Sequence, residues 1–189
     1  MKALRKKTPP LKLNSKRLVL KKHRPQLAKR MFEYVDKDRA RLEKFLPWPP
    51  SIRSPKDELK FINSMSLAWK NFENFDFGIF RKSDGCYLGN IGVHSIRWKS
   101  YSCEIGYWIL GDFEGQGFVS ESVKLLESAL FRIGFNRVQI RCSSKNKRSA
   151  NVPRACGYKF EGTMRQDGID CGKFRDTHVF SKLRKEWEG

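Results

Sequence analysis

The 189-residue chain contains no long uncharged apolar run, no C-x-x-C pair and no H-E-x-x-H spacing, and its acids are outnumbered by its bases. A membrane-spanning helix needs about 20 consecutive apolar residues, so none is expected. The five cysteines, Cys86, Cys103, Cys142, Cys156 and Cys171, are odd in number and widely spaced, which argues against both a disulfide framework and a zinc site. They read as free thiols. His23, His94 and His178 lie too far apart for a metal-binding pair, and no metal is expected. The basic first residues run into Thr8-Pro9-Pro10 rather than an apolar stretch, so they form no secretory signal, and the cytoplasm is the expected compartment. A G-x-S-x-G nucleophile elbow and a Gly-Lys-Ser/Thr phosphate loop are both missing, which removes serine hydrolysis and nucleotide hydrolysis.

Lys and Arg number 39 against 20 Asp and Glu, a formal charge of +19, while 39% of residues are hydrophobic and 13% aromatic. Such a composition buries a core and fits a single globular domain, residues 16–189, preceded by a basic flexible arm, residues 1–15. A field of this size attracts polyanions: RNA, acidic proteins or phosphorylated ligands. A merely solvated basic surface explains the charge equally well, and no zinc finger, aromatic RNA-binding strand or helix-turn-helix decides between the two.

Arg17-Leu18-Val19-Leu20-Lys21 is the first strand-like run, and Leu27, Met31 and Val35 follow at helical intervals. Leu46-Pro47-Trp48-Pro49-Pro50 must be a loop. Ser54-Pro55-Lys56-Asp57 offers an N-cap, a first-turn proline and a first-turn acid ahead of Phe61, Met65, Ala68 and Phe72. The period then becomes two through residues 75–80, 88–96 and 103–109, a three-stranded meander. It leads into Glu114-Gly115-Gln116-Gly117-Phe118-Val119, after which Val123, Leu126, Leu130 and Ile133 mark an amphipathic helix closed by Gly134. Residues 138–142 form a buried strand parallel to the one before the turn. A short helix over 149–156 and strands near 158–164 and 174–183 complete seven strands.

A strand, two closely spaced glycines and a helix make a diphosphate cradle: the glycines let backbone N–H groups converge and the helix adds its positive N-terminus. By itself this signal is weak, because tight strand-to-helix turns carry glycine for geometry alone. A dinucleotide site would need a third glycine where Ser120 stands and an acid at the end of the next strand, and neither fits.

Taken in order, Arg17-Leu18-Val19-Leu20, Leu46-Pro47-Trp48, Glu104-Ile105-Gly106-Tyr107-Trp108-Ile109, Gly115-Gln116-Gly117-Phe118, Asn146-Lys147-Arg148-Ser149 and Cys156-Gly157-Tyr158-Lys159-Phe160-Glu161-Gly162 resemble the GNAT superfamily of acyl-CoA N-acyltransferases. The RimJ/RimL type, which acetylates N-terminal amines of ribosomal proteins, is the most similar. The resemblance implies an α/β (α+β) fold: a mixed, mostly antiparallel seven-stranded sheet with flanking helices and a splayed parallel pair, residues 103–110 and 137–142. It implies acetyl-CoA as cosubstrate and direct transfer to an amine, most simply a protein N-terminal α-amine. The backbone N–H groups of Gln116, Gly117, Phe118 and Val119 would take the diphosphate. A backbone N–H among Trp108, Ile109 and Leu110 would polarise the thioester carbonyl. Asn146 would bond the pantetheine arm and Ser149 would protonate the departing thiolate, although both also suit helix capping.

Deprotonating an alkylammonium needs a base. Glu104 is the first candidate, directly or through water, and Asp167, expected in a loop, the second. Trp48, Trp69 and Trp98 line either the acceptor cleft or the core. Two departures from the family pattern stand at the turn: Glu114 places an acid beside the diphosphate and Val119 a bulky side chain. Other outcomes consistent with the residues are a small-molecule or antibiotic amine as acceptor, and a catalytically weak module binding coenzyme A or nucleic acid. The charge favours an acidic acceptor and association with ribosomes or RNA, as a monomer or homodimer.

Overall fold

The computed structural model describes residues 5–188. Eight strands form one sheet in the order β1-β2-β3-β4-β5-β6-β8-β7. They are β1 Lys12–Asn14, β2 Leu18–Lys22, β3 Phe75–Arg81, β4 Tyr87–Arg97, β5 Ser102–Ile109, β6 Arg137–Ser143, β7 Lys159–Asp170 and β8 Lys173–Leu183. The count exceeds the expected seven because Lys12–Asn14, inside the segment read as an arm, pairs antiparallel with β2 and adds an edge strand. Its alternation explains the pairing: Leu13 turns into the core while Lys12 and Asn14 face out.

The helices cover both faces. On one side lie α1 Ala28–Lys37, α2 Arg39–Leu42 and α3 Pro55–Lys70; on the other lie α4 Phe118–Ile133 and α5 Lys147–Ala155. α3 begins at Pro55 as the sequence predicts, but the Ser54 hydroxyl makes no cap. It donates instead to Asp57, which also accepts the Arg53 N–H, so the first-turn acid organises the helix start. α4 is capped by Gly117 and Gly134, both in the left-handed region at φ 77° and 113°. Val123, Leu126 and Leu130 on α4 meet Ile105, Ile109 and Val138 of the sheet in a common core. The second face buries Met31, Ile62, Tyr87 and Leu110.

One irregularity shapes the middle of the sheet. β5 and β6 are its only parallel pair among the described residues, and they pair through just Ser102↔Arg137, Cys103↔Val138 and Glu104↔Gln139. Beyond Glu104 they part, β5 staying with β4 and β6 with β8. The polar loop and α5 enter this opening from one face.

Candidate active site

The opening exposes an edge of β5 that other strands would cover. The Leu110 N–H donates to the Leu88 carbonyl at 2.8 Å, so in the antiparallel ladder with β4 the bonded positions of β5 are the even-numbered ones. Ile109 and Tyr107 therefore turn their N–H groups away from β4, into the gap left by β6. Of the three residues expected to offer an oxyanion donor, Ile109 has the N–H with the right direction. Those of Trp108 and Leu110 are spent on β4. Trp108 contributes a ring instead, 5.5 Å from that of Trp48 and 6.1 Å from that of Tyr87.

At the end of β5 the chain reaches the Gly-rich turn. Gly115 and Gly117 have φ of 73° and 77°, values that side chains other than glycine rarely adopt, and the space over Gly115 is open. The Glu121 N–H bonds the Gly117 carbonyl, so the N–H groups immediately before it have no intrahelical acceptor. Phe118, the first residue of α4, is buried, and Val119 packs against the margin of the core. The turn is thus an anion cradle that fits a diphosphate. Arg17 crosses its outer side, bonding the Gln116 carbonyl and Glu121.

Glu114 is not a bare acid at this turn. One carboxylate oxygen accepts from Arg41 at 2.6 Å, and the other is paired with Arg148 of α5. Arg41 simultaneously binds Asp38 and the Ile109 carbonyl, and Asp38 accepts the Gly111 N–H. This network ties α2, the end of β5, the turn and α5 together, and its two cations offset the charge expected to repel a diphosphate. Nothing in the sequence near residue 41 signals it.

Tyr107 and Ser149 meet across the gap. The Ser149 hydroxyl donates to the Tyr107 oxygen at 3.3 Å, while the Tyr107 hydroxyl donates to the Ser149 carbonyl at 2.9 Å. Burial pushes the Tyr107 hydroxyl well above its ordinary range, so it stays protonated. Burial likewise raises the Cys142 thiol, which lies beside Ser149. Asn146 caps α5 by accepting the Ser149 N–H at 3.0 Å, a local role that fixes where Ser149 points. Tyr107 is the site residue that sequence reasoning passed over, hidden inside an ordinary strand alternation.

Glu104 sits where the strands begin to part, its side chain 12% exposed. Gln139 Nε2 donates to one of its oxygens at 3.0 Å, and His94 Nε2 stands 3.8 Å from the other. His94 folds over Gly106, where a Cβ would lie 2.9 Å from that ring nitrogen. A cleft of about 540 Å³ opens above, lined by Glu104, Gln139, Glu73, Arg97, Trp98 and Arg141 among others. Asp167 stands on β7 at a register shift, not in a loop, and the hydrogen bond from Thr177, with the ion pair to Arg141, holds its carboxyl below the usual range. Of the three tryptophans expected in the acceptor cleft or the core, Trp98 lines the cleft and donates to the Phe72 carbonyl, Trp48 packs on Trp108, and Trp69 is core between Phe75 and Phe77.

Comparison with known proteins identifies the family. Residues 17–159 match the acetyltransferase (GNAT) domain profile. The putative ribosomal N-acetyltransferase YdaF of Bacillus subtilis is 30% identical over 169 residues, covering 87% of this chain and 90% of that protein. The ribosomal-protein-serine acetyltransferase of Escherichia coli is 24% identical over 156 residues, 82% of this chain and 86% of its own. In structure, the ribosomal-protein α-N-acetyltransferase RimL, solved with coenzyme A, superposes with a TM-score of 0.88 at 24% identity, over 93% of this chain and 99% of that one. With a family profile spanning most of its length and the split sheet in place, the chain belongs to the GNAT family of N-acetyltransferases.

Proposed function

We propose that this enzyme transfers the acetyl group of acetyl-CoA to the N-terminal α-amine of a protein, a ribosomal protein in the simplest case. The observation that carries the reading is the placement of Glu104 at the floor of an open cleft, at the point where β5 and β6 separate. Acetyl-CoA supplies the activated acyl group. Gln116, Gly117, Phe118 and Val119 bind its diphosphate through backbone N–H groups, and Asn146 borders the gap that takes the pantetheine arm. The Ile109 N–H faces the position where charge develops on the acyl oxygen. Glu104 accepts the ammonium proton directly or through one water, with Gln139 holding its carboxylate in place. Ser149 returns a proton to the departing sulfur, and Tyr107 keeps its hydroxyl aligned.

Two features support a protein acceptor over a small amine: the cleft is open rather than closed over, and curated relatives are named as ribosomal-protein acetyltransferases. The test is acetylation of peptides with free or blocked α-amines, read by mass shift. Glu104→Gln and Ser149→Ala should each lower turnover about 100-fold, while calorimetry with acetyl-CoA shows affinity within about threefold of wild type. Wild-type rates in both variants would remove these roles. Acetylation of small amines alone would replace the acceptor.

A further inference from the structure

The whole-chain charge says little about where an acceptor is read, but the lining of the cleft is local. Glu104 provides the carboxylate at its floor. Around it stand three cations, Lys6, Arg97 and Arg141, and one further acid, Glu73. Arg141 is already paired with Asp167, so those two cancel. The described hydrogen bond of the Arg97 guanidinium uses Nε alone, which donates to Ser102 Oγ at 3.0 Å. Lys6 is exposed. Once an α-ammonium has met Glu104, Lys6 and Arg97 outweigh Glu73, against an apolar wall that includes Trp98, Phe72 and Ile96. That wall excludes water on one side and strengthens the charge interaction.

The register sets a distance. Arg97 lies opposite Ser102, two residues along β5 from Glu104, and two residues of strand span about 7 Å. An extended acceptor with its amine at Glu104 therefore brings its second or third residue to the Arg97 guanidinium. We propose that the cleft selects acceptors carrying an aspartate or glutamate at the second or third position, read by Arg97 with Lys6. This inference rests on the reading of the chain as an α-amine acetyltransferase.

The experiment compares peptides that share a first residue and carry Asp, Asn or Lys at positions two and three, assayed with the full chain and acetyl-CoA at low and high salt. The Asp peptide should exceed the Lys peptide about tenfold in kcat/KM at low salt, mostly through KM, and the ratio should shrink as salt screens the cleft. Arg97→Gln should flatten the ratio and Arg97→Lys should keep most of it. Lys6→Gln, at an exposed position, supplies a second variant that should lower the ratio without any folding defect. Equal rates for Asp and Asn peptides at low salt, or a preference for Lys, overturn the selection while leaving α-amine transfer standing. If no free α-amine is acetylated but another amine is, the underlying reading fails and the selection falls with it.

Discussion

Glu58 shows how one side chain sets a pH dependence that the reaction does not require. It sits on the buried side of α3, only 1% exposed, with Oε1 lacking any hydrogen-bond partner. Burial first, then the charges of Asp57 and Asp76, push its carboxyl up to about 7 from an ordinary 4.5. Asp76 is itself bound to His23 at 2.6 Å and occupies the space over Gly92, where a Cβ would come within 2.4 Å of its carboxylate. A raised carboxyl means that the folded chain keeps a proton that the unfolded chain releases. Stability from this group is therefore fully present below pH 4.5 and falls as pH rises towards about 7. The ceiling on the loss is roughly 3–4 kcal/mol, at about 1.4 kcal/mol for each pH unit between 4.5 and about 7. Glu58→Gln, which keeps the shape and removes the charge, should match wild type in chemical denaturation near pH 4 and exceed it by 1 kcal/mol or more, on the order of the linkage estimate, at pH 8. A difference that does not vary with pH would show that Glu58 is not the group responsible.

At the scale of elements, the short helix α2 braces the Gly-rich turn through contacts that the turn does not make itself. Arg41 reaches Asp38, Glu114 and the Ile109 carbonyl at once, so it fixes both the end of β5 and the acid beside the Gly-rich turn. A lysine presents a point charge and cannot hold three oxygens in this planar fork. Arg41→Lys should weaken acetyl-CoA binding about tenfold by calorimetry, the loss of roughly one charge-assisted contact, and Glu114→Gln should cost less because both arginines then remain free to meet the diphosphate. An unchanged affinity for Arg41→Lys would mean that the turn holds its shape unaided. This network also marks the limit of what the sequence discloses. The turn was legible because left-handed glycines and a following amphipathic helix are local signals, and α4 begins at Phe118 where they predict it. That Glu104, Ser149 and Asn146 would stand near the parting of β5 and β6 was reachable through ordered motif spacing. Arg41 and Glu114 are 73 residues apart, joined only by tertiary packing, and β1 is too short and too basic to stand out from its surroundings. Tyr107 shares a period-two pattern with core residues, so its position on the gap becomes visible only once β6 is known to have left.

For the molecule as a whole, the decisive feature is that the sheet is nearly two sheets. Strands β1 to β5 and strands β6, β8 and β7 are joined through three residue pairs, 102–104 with 137–139, supported by α4 beneath and by the Tyr107–Ser149 contact across the gap. A ligand that enters the gap and bonds both sides would stand in for the missing ladder, and so would bind the folded chain and not the unfolded one. At acetyl-CoA concentrations 100 times the dissociation constant, such linkage is worth about 2.7 kcal/mol. For a chain of this size that corresponds to a rise in Tm of about 5–10 °C. Hydrogen exchange should place the gain in protection at the N–H groups of Tyr107 and Ile109, which point into the gap, and at the N–H groups opening α4. The N–H of Leu110, already bonded to Leu88, should change little. If protection instead rose evenly over both halves of the sheet, or only in α1 and α3, coenzyme A would not be bridging β5 and β6. The split would then be a packing feature of the fold, unconnected to its chemistry.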